Sequence, residues 1–255
     1  MLALLAALAL LAPAPHRPDT DGDFLAFAET PRQPGNLVAR SGIVGHSAQG
    51  RPIEVRQLGD PKWAGKLLVF GCIHGDECGA SSIEPLGSGG CPDPSADILI
   101  VPHLDPDGSA THSRLNADGV DLNRNFNSGW RPASRPGDPE YPGPRPFSEP
   151  ETRLAARIVH GLEPAATVWF HQYRGGRPFV RAWGQSVAGA RHFAALARMP
   201  FRLMHWPAGT GPNWQNHRFS APAFVVELPQ GTLKSAMRGR LDKALLRMGR
   251  WVRED

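Results

Sequence analysis

The chain has 255 residues, of which 41% are hydrophobic and 20% are charged, and its formal net charge is +4. This length suits one α/β domain with a large core, and the composition excludes a largely disordered protein. The basic residues form no stripe interleaved with aromatic side chains, so we expect no nucleic-acid partner.

The N-terminus contains an apolar run, residues 2–12, made only of leucine and alanine and ended by Pro13. Eleven residues are too few to span a bilayer but match the core of a secretory signal, and no later segment is apolar enough for a membrane span. We therefore predict a signal peptide at 1–14, a leader at 15–36 and a catalytic domain at 37–255. The predicted location is secreted, periplasmic or cell-wall associated. No Lys or Arg precedes the run, so a cytoplasmic protein remains the alternative.

The first half of the domain contains strand signals separated by turns. Two alternating segments within residues 38–58 flank a turn at 47–50 and predict a hairpin. The apolar runs at 67–72 and 98–101 predict buried strands, and a helix is expected from about Glu77 to Leu86. Residues 104–147 are rich in Pro, Gly, Asp and Asn, and such a long irregular stretch is usually functional.

The second half alternates helices with strands. Ser148 is the expected cap of a helix that runs to about His160. Strands are expected at 168–171 and 223–227, and helices at 186–198 and 233–252. The pattern predicts an α/β fold: a single domain with a mixed, mostly parallel twisted sheet and helices on both faces.

Three polar residues, His74, His171 and Glu227, come at or just after the ends of apolar strands, where α/β sheets place their sites. His74 and Glu77 belong to a His-x-x-Glu pair, which alone is weak because the chain has ten histidines. A catalytic zinc takes three protein ligands and leaves one position for water. We predict one zinc ion per chain, bound by His74, Glu77 and His171, with Glu227 as the catalytic base.

A second motif runs from Arg114 to Phe126 and contains Asp121-Leu122-Asn123-Arg124-Asn125-Phe126. With these residues the chain resembles the zinc carboxypeptidase family, in particular short bacterial members such as murein peptide amidases, which cut γ-D-glutamyl-diaminopimelate bonds. Landmarks of that family follow in order over residues 40–230. They are Gly50-Arg51-Pro52, His74-Gly75-Asp76-Glu77, Asp105-Pro106-Asp107-Gly108, the 121–126 segment, Tyr141-Pro142-Gly143-Pro144, Phe147-Ser148-Glu149-Pro150-Glu151, His171-Gln172 and Glu227.

The resemblance implies a role for each matching residue beyond the ligands. Glu227 would be general base and then general acid, and Asp121 would accept a hydrogen bond from the non-ligating nitrogen of His74. Arg114 would stabilise the oxyanion, and Asn123 with Arg124 would bind the terminal carboxylate of the substrate. A guanidinium suits these tasks, because it pairs with a carboxylate through two hydrogen bonds.

Two departures from the family pattern stand out. Asp105 replaces the usual Asn of the Asn-Pro-Asp-Gly turn. Digestive members close a tyrosine over the substrate, but no tyrosine lies between Gln185 and Glu227 here. The pocket is therefore covered by another residue or by none, and we expect a small specialised peptide as substrate. The alternative covers are His205, Trp206, Trp214 and His217.

The resulting hypothesis is a zinc metallocarboxypeptidase that cleaves an amide bond next to a free C-terminal carboxylate, with murein peptides as the implied substrate. A zinc-dependent N-acyl amino acid deacylase, resembling succinylglutamate desuccinylase and aspartoacylase, is the second hypothesis. A non-catalytic wall-binding module is the third.

The three cysteines, Cys72, Cys78 and Cys91, leave the disulfide pattern open. Two of them can pair in an oxidising compartment, and Cys72 within its apolar strand is expected to be a buried thiol. No Cys-x-x-Cys pair is present, which argues against a cysteine zinc site.

Overall fold

The structure is a computed structural model that describes residues 38–83, 93, 95–173 and 175–254. The predicted signal peptide and leader, the residue Cys91 and the end of the helix expected at 77–86 lie outside these ranges.

The described strands are β1 Val38–His46, β2 Pro52–Gly59, β3 Leu67–Phe70, β4 Asp97–Val101, β5 Ala166–Tyr173, β6 Phe179–Ala182, β7 Phe201–Leu203 and β8 Ala223–Pro229. They form one sheet of eight, in the order β1-β2-β4-β3-β5-β8-β6-β7. Strand β3 is parallel to β4 and β5, β5 to β8, and β6 to β7, whereas β1–β2, β2–β4 and β6–β8 are antiparallel.

Five α-helices lie within the described ranges: α1 Pro106–Thr111, α2 Pro150–Leu162, α3 Val187–Ala197, α4 Gly211–Arg218 and α5 Ser235–Glu254. The prediction of an α-helix starting near Glu77 is wrong for the described part of that segment, where the chain forms a short 3₁₀ helix at Cys78–Ser82. Four elements, the helices α1 and α4 and the strands β6 and β7, had no predicted counterpart. Their short, polar-interrupted sequences carry little periodicity.

The start of α2 differs from the expectation by one residue. Glu149 is the N-cap, without a side-chain cap, and Pro150 occupies the first turn. The Ser148 hydroxyl instead donates to Oε1 of Glu149 at 2.6 Å. Ser148 therefore lies one residue too early to cap the helix.

Alternate side chains of the central strands enter two different cores. Leu67 and Val69 of β3 pack in a cluster that includes residues of α3 and α5. Leu68 and Phe70 pack on the other face, in a cluster that includes residues of α2 and α4. Helices thus cover both faces of the mixed sheet, which confirms the predicted fold class. Among the described helices, none combines the length and apolarity that a bilayer span requires.

Candidate metal centre

Three buried side chains converge at the carboxyl-end edge of the sheet: His74 and Glu77 follow β3, and His171 lies near the end of β5. Nδ1 of His74 lies 3.1 Å from Oε1 of Glu77, and Nδ1 of His171 lies 3.0 Å from Oε2 of the same carboxylate. The loop that carries His74 and Glu77 packs tightly on α1. A Cβ added to Gly75 would lie 1.8 Å from the carbonyl carbon of Gly108, so only glycine fits at that position.

These three residues fit a zinc ion by their chemistry. Their donor atoms all lie within 4.8 Å of one another. Two imidazole nitrogens and a carboxylate oxygen are typical zinc ligands, and bonds of about 2.1 Å in a tetrahedron separate ligand atoms by roughly 3.4 Å. The observed spacings need only a small outward movement to admit the ion.

Asp121 contacts His74, the first candidate ligand, on the side of the ring that faces away from Glu77. Its Oδ1 lies 3.0 Å from Nε2 of His74, so that Nδ1 is the nitrogen that faces Glu77. Burial opposes the charged imidazole, but the charge and hydrogen bond of Asp121, together with Glu77, outweigh burial and raise the pKa of His74 to about 9. Burial likewise opposes ionisation of Asp121, whereas His74 and Arg114 hold the pKa of this carboxyl well below its usual range.

The second histidine is positioned by Asn123. Nδ2 of Asn123 lies 3.2 Å from Nε2 of His171, and Oδ1 of Asn123 accepts from the backbone N–H of Gly211 at 3.0 Å. The backbone N–H of Gln172 donates to Oε2 of Glu77 at 3.0 Å. This hydrogen bond connects β5, which carries His171, to the loop that carries His74 and Glu77. Burial disfavours the charged form of Glu77, but hydrogen bonds to the two histidines hold its pKa far below the usual range.

Glu227 faces the same space from the neighbouring strand. In the parallel pair β5–β8, His171 lies directly opposite Glu227. Both residues line a cavity of about 300 Å³, and the side chain of Glu227 is 13% exposed. A carboxylate in this position can exchange protons with a water or substrate in the cavity.

The two arginines that the sequence predicts for the site, Arg114 and Arg124, also line this cavity. Nη1 of Arg114 lies 3.2 Å from both Nδ1 of His74 and Oε1 of Glu77, and its Nη2 donates to Asp121 at 2.8 Å. Arg124 donates to the carbonyl of Asn123 at 2.9 Å and to Glu140 at 2.7 Å. Because Glu140 is largely exposed, Arg124 can change partners without leaving a buried charge unpaired.

The structure brings together every residue predicted for the site. Sequence reasoning missed several further residues that line the cavity, among them Tyr173 and Arg181. The signal for Arg181 was a charge inside the short apolar run Phe179–Ala182, since buried arginines are rare unless paired. The four residues considered as covers (His205, Trp206, Trp214 and His217) do not line the cavity, and Trp214 is only 2% exposed in the core.

Cys72 and Cys78 form a disulfide, so the expectation of a buried Cys72 thiol is wrong. The bond closes a short loop that contains both His74 and Glu77. Proximity within the fold decided this pairing, and an odd cysteine count could not predict it.

The sheet and the site agree with what the resemblance to zinc carboxypeptidases implies, and comparisons with known proteins extend that resemblance. Residues 94–188 match the zinc carboxypeptidase family model. The chain is 37% identical over 83 residues to murein peptide amidase A of Escherichia coli K12, and 30% identical over 179 residues to carboxypeptidase A6 of Mus musculus. These alignments cover 28% and 55% of this chain, and 34% and 39% of the relatives. The chain thus spans little more than a third of the length of the curated relatives that it matches.

Comparison with solved structures shows a similar fold over most of the chain. The murein-tripeptide amidase of Escherichia coli O157 has a TM-score of 0.63 at 24% identity, covering 86% of this chain and 94% of that one. Carboxypeptidase A of Helicoverpa armigera has a TM-score of 0.65 at 17% identity, covering 85% and 68%. Residues 94–188 are therefore similar to the zinc carboxypeptidase family, and most of the chain shares the fold of these two solved structures. His74, Glu77 and Glu227 lie outside the segment that matches the family model, so their roles rest on the geometry above.

Proposed function

We propose that this protein is a zinc-dependent metallocarboxypeptidase, which hydrolyses the amide bond next to a free C-terminal carboxylate. One observation carries the proposal: Nδ1 of His74, Nδ1 of His171 and the carboxylate of Glu77 converge beside Glu227 in one cavity. A zinc ion held by these three ligands would activate a water molecule at neutral pH and polarise the scissile carbonyl.

Glu227 is the proton carrier in this mechanism. Its carboxylate takes a proton from the attacking water and then delivers it to the nitrogen of the leaving amine. The mainly buried position opposite His171 supports this role, because it keeps the carboxylate close to the ligands and limits competing contacts with bulk solvent.

The two arginines bind the negative charges of the reaction. Arg114, beside His74 and Glu77, donates to the oxyanion that develops on the scissile carbonyl. Arg124 exchanges its exposed partner Glu140 for the terminal carboxylate of the substrate. Asn123, next to Arg124, is the second carboxylate contact that the family resemblance assigns. Fixing that carboxylate places the terminal amide, and not an internal one, near Glu227.

The proposed substrate class is a small peptide of the murein type. Support comes from the homologous E. coli protein, whose name describes a murein peptide amidase, and from the structure of the murein-tripeptide amidase with a similar fold. Export, which the apolar run at residues 2–12 predicts, would bring the protein to such peptides and stays a prediction.

The test is hydrolysis by purified protein of three substrates: a diaminopimelate-containing muropeptide, an ordinary peptide with a free C-terminus, and an N-acyl amino acid. We expect cleavage of the first at its terminal amide, seen by mass spectrometry, with loss of activity in chelator and recovery when zinc is restored. The same peptide with an amidated C-terminus is the matched control and should be cut far more slowly. Preferential hydrolysis of the N-acyl amino acid would replace this proposal with a deacylase.

A further inference from the structure

Arg181 forms one wall of the cavity and has no assigned role in the mechanism above. It lies in β6, which pairs with β8 so that Arg181 is opposite Val225 and Phe179 is opposite Glu227. The side chain of Arg181 is 16% exposed, and Nη1 lies 3.8 Å from Oε1 of Glu227. Arg181 therefore brings a positive charge to the same space as the proposed base.

The guanidinium of Arg181 is incompletely paired. Its Nε is buried and, among the described residues, has no hydrogen-bond partner. The 3.8 Å contact with Glu227 is too long for a hydrogen bond. Arginine stays protonated in proteins, and a buried donor or charge without a partner is costly. Glu227 therefore pairs with the charge only at ion-pair distance, and a negatively charged ligand group would supply the hydrogen-bond partner that the described residues do not give Nε.

The other cavity arginines have partners of their own. Arg114 is held by Asp121 and Glu77, and Arg124 by the exposed Glu140. If Arg124 takes the terminal carboxylate, Arg181 remains for a second anionic group on the same released residue. The two arginines line one cavity of about 300 Å³, which is large enough for one amino-acid residue.

The neighbourhood of Arg181 also disfavours an apolar side chain. The guanidinium lies over the ring of Trp206, with Cζ 5.5 Å from the ring centroid. Trp206 packs against both hydrophobic cores, which limits the movement of the arginine. An aliphatic residue entering here would cover the charge without pairing it, and this burial costs free energy.

We propose that Arg181 is a specificity-determining residue that selects substrates whose released residue carries a second carboxylate, as glutamate, aspartate and diaminopimelate do. This inference deepens the proposed function and rests on it. Arg124 would bind the terminal carboxylate and Arg181 the carboxylate of the side chain.

The test compares two N-acylated dipeptides that differ only in the released residue, glutamate or glutamine. We expect the wild type to favour the glutamate peptide by about 10- to 100-fold in kcat/KM, because a charged hydrogen bond in a buried site has that value. Arg181→Gln should bring the ratio close to one, mainly through a higher KM for the glutamate peptide. Arg181→Lys should restore part of the preference.

Arg202→Gln is the matched control. Arg202 lies opposite Arg181 on β7, is exposed, stacks on Phe179 and does not line the cavity. This variant removes the same charge from the adjacent strand and should keep the wild-type ratio. An equal ratio in wild type, or an unchanged ratio in Arg181→Gln, would overturn the role of Arg181 while the carboxypeptidase activity stands.

A binding measurement separates this inference from the proposed function. Calorimetric titration of free glutamate and free glutamine into zinc-loaded protein should show tighter binding of glutamate in wild type and in Arg202→Gln, but not in Arg181→Gln. If no peptide is cut, the proposed function fails, and this titration still decides whether Arg181 selects the second carboxylate. Equal binding of both amino acids to the wild type would contradict the inference.

Discussion

His171 and Glu227 lie directly opposite each other in the parallel strands β5 and β8. Neighbouring residues of a parallel pair point to the same face of the sheet, so this register presents a proposed metal ligand and a proposed base to one cavity. The register depends on strand pairing between segments more than fifty residues apart. It explains how two polar residues that end separate apolar runs become one site.

Glu227→Gln should abolish most hydrolysis while leaving zinc content unchanged. The amide keeps the size of the carboxylate but cannot accept the proton, and general-base catalysis contributes about 100- to 10,000-fold in rate. Steady-state kinetics and metal analysis measure the two effects. Glu54→Gln, at an exposed position of β2, is the control and should behave as wild type. Undiminished turnover in Glu227→Gln would rule out the proposed base.

His171→Asn should bind zinc far more weakly than the wild type, which should bind one ion per chain. Removing one of the three proposed ligands leaves too few donors for the ion, and a metal that binds only the folded state raises its stability. We therefore expect zinc to raise the Tm of the wild type and of the exposed control His46→Asn, but not of His171→Asn. Equal stabilisation of His171→Asn would place the ion elsewhere.

The apparent zinc affinity should increase with pH. In the metal-free protein the pKa of His74 is raised to about 9, so below that pH zinc must displace a proton from the imidazole. We expect about a tenfold gain in affinity per pH unit from pH 7 to about 9, followed by a plateau. Competition with a metal-binding dye measures this profile.

Asp121→Asn is the companion variant for that profile. Without the carboxylate, His74 loses the main group that raises its pKa, so the rise with pH should become shallower and its plateau should begin at lower pH. Affinity at the plateau should fall by about 10- to 100-fold, because the imidazole is less basic and less firmly oriented. An unchanged profile would mean that Asp121 does not act on His74.

Asp105→Asn should stabilise the metal-free protein at neutral and higher pH. Burial raises the pKa of Asp105 from 3.8 to about 7, and its Oδ2 has no partner among the described residues. The unfolded carboxyl ionises above about pH 4 whereas the folded one keeps its proton, so stability is lost as pH rises from about 4 to 7. The shift of about three units corresponds to roughly 4 kcal/mol as an upper limit.

Urea unfolding between pH 4 and 8 checks this prediction. Part of the slope should persist in Asp105→Asn, because burial also raises the pKa of Glu151 to about 7. Asp118→Asn, at an exposed turn, should retain the full wild-type slope. A wild-type stability that increases from pH 5 to 7 would contradict the protonated state assigned to Asp105.

Loss of the Cys72–Cys78 disulfide should weaken both the fold and the metal site. The chain-entropy model gives about 2 kcal/mol for so short a loop, and the loop contains His74 and Glu77. The double variant Cys72→Ser, Cys78→Ser should therefore unfold at lower denaturant and bind zinc more weakly. Reductant should produce the same change in wild type and no further change in the double variant. Identical zinc affinity in all samples would show that the disulfide does not organise the ligands.

Local sequence was sufficient for the strands that carry the site. The runs ending near His74, His171 and Glu227 are apolar and short, and hydrophobic burial on both faces makes such runs strands in many contexts. Local sequence was insufficient where few side chains are buried or where a segment is too short to show a periodic pattern. The helix expected after Glu77 is only a 3₁₀ turn in its described part, and α4 was not predicted.

The amino-acid sequence by itself determined which chemistry to propose, because the residues proposed as ligands, base and carboxylate contacts stand in recognisable local motifs. Only the tertiary structure decided which of these side chains share a cavity, that Arg181 forms its wall, and that Cys72 pairs with Cys78. Those relationships follow from the order and register of strands distant in the chain. Strand order depends on the combined packing of both cores, which no local segment encodes alone.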